Sequence, residues 1–282
     1  MLQSRRVYSC RCPWGVFVCL TAAGALCPPS NADTPKVDFS ARLTYSARFV
    51  TGLATGDFNG DGLADVATIE LPQPPVDPGT FVVISVRLQG ANGRFLAPVY
   101  YPLLYYPLRI AAQFLITGDF NRDGRLDLVA ADPDRGLAVF LGAGNGTFSS
   151  RSTLSTPYFV GITAGDVNHD GALDLALLVS ANFELAIRIL PGDGSGDFGT
   201  PVTTTVSSNL LWSIGRDFGL VDMNGDGNPD VVFARRDDYT GAHTTFLFGN
   251  GDFTFGTPVD YPGAAVPAGL IPADVNGDGK LT

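Results

Sequence analysis

DVNHDGALD, residues 166–174, is the stretch that decides the fold, because its pattern D-x-N-x-D-G-x-x-D recurs along the chain. It stands as DFNGDGLAD at 57–65, DFNRDGRLD at 119–127 and DMNGDGNPD at 222–230. A fifth copy, DVNGDGKLT, runs from Asp274 to Thr282 and carries Thr282 in place of the last aspartate. The starts fall 62, 47, 56 and 52 residues apart, so the chain is read as a repeat before anything else.

Each copy leads into the same series of segments. Val66–Ile69, Leu128–Ala130, Leu175–Val179 and Val231–Phe233 leave the loop as apolar strands. A second strand follows at Phe81–Leu88, Leu137–Leu141, Leu185–Leu190 and Thr244–Phe248. Then comes a glycine-rich turn ending in phenylalanine: Gly90–Phe95, Gly142–Phe148, Gly192–Phe198 and Gly249–Phe253. Pro98, Pro201 and Pro258 lie just beyond three of these turns, which marks an edge strand, because proline donates no ladder hydrogen bond. The unit is strand, Asp loop, strand, short link, strand, glycine turn, strand. Four antiparallel strands in about 50–60 residues is the size of one propeller blade, so the fold expected is an all-β propeller. A β-sandwich is the rival, and it gives no reason for an identical loop at every period. The long first spacing has a local cause in the proline-rich insertion Leu71–Pro78.

The loop has the chemistry of a hard-cation site. Calcium takes six to eight oxygen ligands. Positions one, three and five supply them as Asp57, Asn59 and Asp61, then Asp119, Asn121 and Asp123, Asp166, Asn168 and Asp170, and Asp222, Asn224 and Asp226. Glycine at position six permits the sharp reversal. Position seven offers a backbone carbonyl, so its side chain is free to vary, as Leu63, Arg125, Ala172 and Asn228. Position nine, Asp65, Asp127, Asp174 or Asp230, is expected to return a bidentate carboxylate. The incomplete copy offers Asp274, Asn276, Asp278 and Lys280, and the terminal carboxylate of Thr282 is a candidate stand-in for its missing aspartate. About four calcium ions are expected. An EF-hand needs glutamate at position twelve and flanking helices, whereas the twelfth residues here are Thr68, Ala130, Leu177 and Phe233, inside strands. Asn, Asp and Gly also make plain turns, and one copy alone would be read that way. Four copies with three acids each would repel without a counter-ion. Magnesium is disfavoured by its stricter octahedron.

These loops, with their glycine turns, resemble FG-GAP/VCBS repeats, the repeats of the integrin α-chain head. The resemblance covers residues 50–282 and implies a calcium-binding propeller, seven-bladed in the family, with the ion between the first two strands of each blade. On that basis repeats span residues 46–103, 104–157, 158–206 and 207–263, with a partial one at 264–282. Four blades and the start of a fifth leave the ring unclosed within this chain, so a truncated product is expected, with open blade edges inviting self-association.

Composition agrees with export. Only two of the 28 acidic residues are glutamate, Glu70 and Glu184, and short carboxylates suit turns and cations. A net charge of −10 excludes a nucleic-acid partner. Arg5, Arg6 and Arg11 precede an apolar stretch, Trp14–Leu26, too short for a comfortable membrane span. Residues 1–32 therefore read as a signal peptide cleaved before Asp33, with residues 33–282 as the propeller, secreted or at the cell surface or periplasm. A lipoprotein through Cys27 is the weaker variant, since Leu26 stands where a small residue belongs. Cys10, Cys12, Cys19 and Cys27 all lie inside that leader, so the mature chain has no disulfide.

No catalytic constellation is visible. His169 occupies a variable place in the third loop, and His243 opens a strand. Asp132, Asp134, Asp237 and Asp238 lie far apart in sequence, so an acid/base pair would need the fold to unite them. The loops and glycine turns share one face of the propeller. The opposite face carries varied segments: Asp132–Arg135, Asn182 with Phe183, and Arg235–Tyr239. Such loops on a rigid scaffold are where ligands bind. The expected function is non-catalytic adhesion to, or recognition of, an extracellular protein or glycan. The alternatives are an accessory or catalytic domain of a carbohydrate-active enzyme, and a calcium-rigidified spacer.

Overall fold

The computed structural model describes residues 45, 49–71, 82–103, 114–133, 136–181, 184–207, 214–237 and 241–263. By internal packing the chain divides into Met1–Tyr45 and Ser46–Thr282, and every described strand lies in the second unit. Residues 1–32, expected to be a signal peptide, with the four cysteines, the proline-rich insertion beyond Leu71 and the fifth loop, lie outside the described residues.

The described residues form strands and no helix, arranged as four antiparallel sheets of four strands each. The first blade is β1 (Phe49–Gly56), β2 (Asp65–Leu71), β3 (Val83–Arg87) and β4 (Val99–Pro102). The second is β5 (Phe114–Gly118), β6 (Asp127–Asp132), β7 (Gly136–Gly142) and β8 (Phe148–Leu154). The third is β9 (Phe159–Gly165), β10 (Asp174–Ala181), β11 (Glu184–Leu190) and β12 (Val202–Ser207). The fourth is β13 (Ile214–Val221), β14 (Asp230–Asp237), β15 (Gly241–Leu247) and β16 (Val259–Gly263). Within each blade the strands pair in chain order, as a meander requires. The architecture is a β-propeller of four such blades.

Packing explains the sequence patterns. A strand between two blades is buried on both faces, so it reads as a continuous apolar run rather than an alternation. In β10, Leu175 and Leu177 pack towards the second blade, while Ala176 and Leu178 pack towards the fourth. Three apolar seams result. Ala67, Ile69, Ile84 and Val86 meet Leu128, Ala130 and Phe140 between blades one and two. Val129, Val139 and Phe120 meet Phe159 and Leu175 in the next. Ile187 and Ile189 meet Val231, Phe233 and Leu247 in the third. Each fully buried Leu, Ile or Phe contributes about 1.5–3 kcal/mol, and these seams hold the blades together. The fourth strands face solvent and turn polar, as in the Ser- and Thr-rich β8 and β12. The first strands adjoin one another, β1 beside β5, β5 beside β9 and β9 beside β13. Ala54, Thr55, Thr117, Thr163 and Ala164 on them line an open axial groove of about 350 Å³.

Several expected boundaries move. Gly241 opens β15 in a left-handed conformation (φ 90°), so His243 lies inside the strand and is buried. Arg235, Arg236 and Asp237 belong to β14, and Asp132 is the buried last residue of β6. These residues were expected in connecting loops; ladder pairing extends the strands over them, to Asp237↔Gly241 and Asp132↔Gly136. The fourth glycine turn closes at Phe255, which pairs with Gly249, not at Phe253. Phe253 instead takes a left-handed conformation, φ 70°, at the place held by Gly146 and Gly196 in the turns before it.

Candidate metal centres

The four loops repeat one hydrogen-bonded design. At position one, a carboxylate caps the loop from within: Gly62 N–H donates to Asp57 Oδ2 at 2.8 Å, Gly124 to Asp119 at 2.8 Å, Gly171 to Asp166 at 2.9 Å and Gly227 to Asp222 at 2.9 Å. At position three, the asparagine oxygen accepts the N–H of position five, at 2.8–3.2 Å. Its amide nitrogen donates to Oδ2 of position five, at 2.9–3.1 Å. At position five, Oδ1 accepts the N–H of Leu63, Arg125, Ala172 or Asn228 at position seven. These are Asx-type turns, and glycine with φ of 80–92° at position six makes the reversal. Positions one, three and five thus stand together at the mouth of each loop, in or near solvent.

Position nine has another task. Asp65, Asp127, Asp174 and Asp230 are fully buried, at 0% exposure. Oδ2 of each accepts the N–H of position two, from Phe58, Phe120, Val167 and Met223. Oδ1 accepts the first N–H of the glycine turn, from Gln89, Gly142, Gly192 and Gly249, at 2.7–2.8 Å. Both oxygens hold backbone, as those of position one also do, so the residue pins the loop to the turn and would keep one lone pair on each oxygen for the ion expected there. This contact confirms that the loops and glycine turns share one face. Desolvation raises the pKa of all four carboxyls against the opposing pull of those N–H groups. Repulsion from the loop's other acids adds to the rise, from Asp57 and Asp61 on Asp65 and from Asp226 on Asp230.

Each loop gathers three carboxylates, of which, among the described residues, only Asp123 and Asp170 have an arginine beside them, and the side-chain donors are all oxygens, as a hard cation requires. Among the described residues no three acidic, histidine or cysteine side chains converge closely enough to hold a metal alone, so asparagine and carbonyl oxygens would have to share the work. The donor set fits calcium in kind and in charge. Asp274, Asn276, Asp278 and Lys280 of the fifth loop lie outside the described residues, as do Asp134, Arg135, Asn182, Phe183, Asp238 and Tyr239.

The loops also meet across blades. Position two turns inward against the next blade's turn: the Phe58 ring is 5.5 Å from Phe148, and Phe120 is 6.0 Å from Phe198. Gly146 N–H donates to the Phe58 carbonyl at 2.8 Å, and Gly196 N–H to that of Phe120 at 3.1 Å. Position four, which sequence reading passed over, is left-handed in all four loops, at Gly60, Arg122, His169 and Gly225. Glycine at two of those four places was the available signal.

A model of the FG-GAP-like repeat matches residues 119–177 and 222–281, and one of the FG-GAP repeat matches residues 49–70, together half of the chain. No curated protein matches it. Among solved structures, a chain of the Photorhabdus luminescens Tc holotoxin pore is similar at 18% identity and a TM-score of 0.43. That match covers 79% of this chain and 10% of the toxin chain. With its Asp loops, glycine turns and four-stranded blades in the order the repeat demands, the chain belongs to the FG-GAP repeat family.

Proposed function

We propose that the protein is an exported, calcium-binding recognition module whose blades are stiffened by ions at the Asp loops and whose opposite face binds an extracellular protein or glycan. The observation that supports it is the fourfold recurrence of one oxygen-rich loop whose buried carboxyl is raised partly by its own neighbours' charge. When bound, calcium supplies two positive charges to a loop carrying three carboxylates. Asp57, Asn59 and Asp61, with the carbonyl of Leu63, are the donors in the first loop, and their equivalents serve in the others. The buried aspartates at position nine hold the loop in shape behind them. On this reading the four blades form part of a larger ring of seven.

The ligand face is the one opposite the loops, reached by the links between blades. Tyr158, on the link from β8 to β9, is 47% exposed there, a large aromatic surface of the kind that stacks on sugars or fills a protein pocket. Immobilised protein in calcium, screened against glycans and matrix proteins, tests this reading. A ligand whose binding falls at least tenfold on Tyr158→Ala or Tyr239→Ala, with the melting temperature unchanged, supports it. Ligand turnover lost on Asp237→Asn would instead make the protein an enzyme. Export is tested by finding Asp33 as the N-terminus of protein recovered outside the cytoplasm.

A further inference from the structure

We infer that Arg122 is a resident cation on the third loop, a strap from blade two that calcium must displace, so that the ion sites of neighbouring blades are not independent. The inference rests on the calcium reading above and adds its regulation.

The geometry begins at position four, the left-handed tip of each loop. Gly60 and Gly225 take this conformation without cost, and a β-carbon at either would meet nothing. Arg122 and His169 take it too, at φ 58° and 61°, where side chains are disfavoured. Both reach onto the following blade. Arg122 Nη2 donates to Asp170 Oδ1 at 2.9 Å and to the Asp170 carbonyl oxygen at 2.8 Å. His169 Nε2 lies 3.1 Å from Asn228 Oδ1. Each strap crosses the next blade's glycine turn on its way. A β-carbon added at Gly194 would stand 2.9 Å from Arg122 Nε, and one at Gly251 would stand 4.0 Å from His169 Cδ2. Glycine in the turn therefore keeps the path of the arginine open.

The target of Arg122 decides the consequence. Asp170 is the position-five donor of the third loop, and a guanidinium on its carboxylate neutralises charge that a calcium ion would otherwise meet. Among the described residues the first and second loops have no such guest from a preceding blade: Gly60, at position four of the first loop, carries no side chain, and the cation beside Asp123 is Arg125 of the same loop, at 3.7 Å. Ion binding at the third loop thus trades an interblade tie for an intraloop one. Binding there swings the arginine clear into solvent and so loosens the second blade from the third. The pair is half-exposed, at 45% and 44%, so the competition is modest rather than prohibitive.

The test is calorimetric calcium titration of the whole chain as wild type, Arg122→Gly, Arg122→Gln and Asp170→Asn, with melts of each in chelator. Glycine preserves the backbone conformation that Gly60 and Gly225 show at this position, and glutamine keeps a side chain but no charge. The expected result is one weak site in the wild type, lost in Asp170→Asn and tightened about fivefold in both Arg122 variants. In chelator, Arg122→Gln melts below the wild type, so the calcium-induced rise in its melting temperature is the larger of the two. Calcium binding that is unchanged by either Arg122 variant overturns this inference and leaves the calcium reading standing. No calcium response in any of the four proteins overturns both, and the chelator melts then report the strap as structural only.

Discussion

Asp127 and Gly142 are joined by a 2.8 Å hydrogen bond from the glycine N–H to Oδ1, and the other oxygen of the same carboxylate holds the Phe120 N–H at 2.9 Å. One buried side chain thereby fastens the Asp loop, which opens β6, to the glycine turn, which closes β7. Gly142 is confined for the same reason. A β-carbon there would overlap the carbonyl oxygen of Leu126, the residue just before Asp127. The corresponding overlaps at Gly192 and Gly249 are with Leu173 and Pro229.

Asp127→Ala removes the acceptor of two buried N–H groups at once. Each unsatisfied group costs about 1–3 kcal/mol, so the expected loss is about 2–6 kcal/mol in chelator. Asp119→Ala, at the exposed mouth of the same loop, costs about 1 kcal/mol under the same conditions. Paired denaturant melts read the difference. Equal losses would show that position nine is not the latch.

Gly142→Ala forces a β-carbon onto backbone that cannot move aside without breaking the Asp127 bond, and a loss of about 2–3 kcal/mol is expected. Gly60→Ala meets open space and carries only the left-handed penalty of about 1 kcal/mol. Ranking the two by thermal melting checks the argument.

Phe120→Ala empties the seam between blades two and three, where the ring is 1% exposed and sits against Phe198. The expected cost is about 3–5 kcal/mol, with calcium-loop chemistry untouched. Chemical denaturation of the variant measures it.

The latch has a pH signature. Burial, the largest cause, raises the folded pKa of Asp127 above its ordinary value. A raised group contributes most below the unfolded pKa, about 3.9, and that contribution fades as pH climbs through the folded value. The penalty of Asp127→Asn in chelator should therefore be larger at the acid end of this window than at neutral pH. Melts of the two proteins between pH 4 and 7 read the slope, and a penalty that grows towards neutral pH would contradict it.

The repeat, the blade and the Asp loop were legible because their spacing is fixed along the chain. Asp57 to Asp65 is the same nine-residue interval as Asp222 to Asp230. The task of position nine was hidden because its second partner, Gln89, Gly142, Gly192 or Gly249, lies at a different distance in each blade. Position four was hidden by variety: Arg122 and His169 share a backbone conformation, not a chemistry. The fourth turn misled by offering two phenylalanines. Phe253 completes the shorter spacing, but only Phe255 lies six residues from Gly249, as Phe148 does from Gly142. Strand ends at Asp132 and Asp237 were obscured because charged residues there read as loop, whereas the ladder runs through them to the neighbouring glycines.

The most direct test of the central claim is calcium titration of Asp33–Thr282 after chelation, with ions counted per chain and melting followed at each step. The account predicts at least four ions, one fewer for Asp57→Ala, and stabilisation of about 2.7 kcal/mol per site at a hundredfold excess over Kd. A cooperative melt that ignores calcium, with no ion bound, would contradict it and leave the Asp loops as turns held by their own hydrogen bonds.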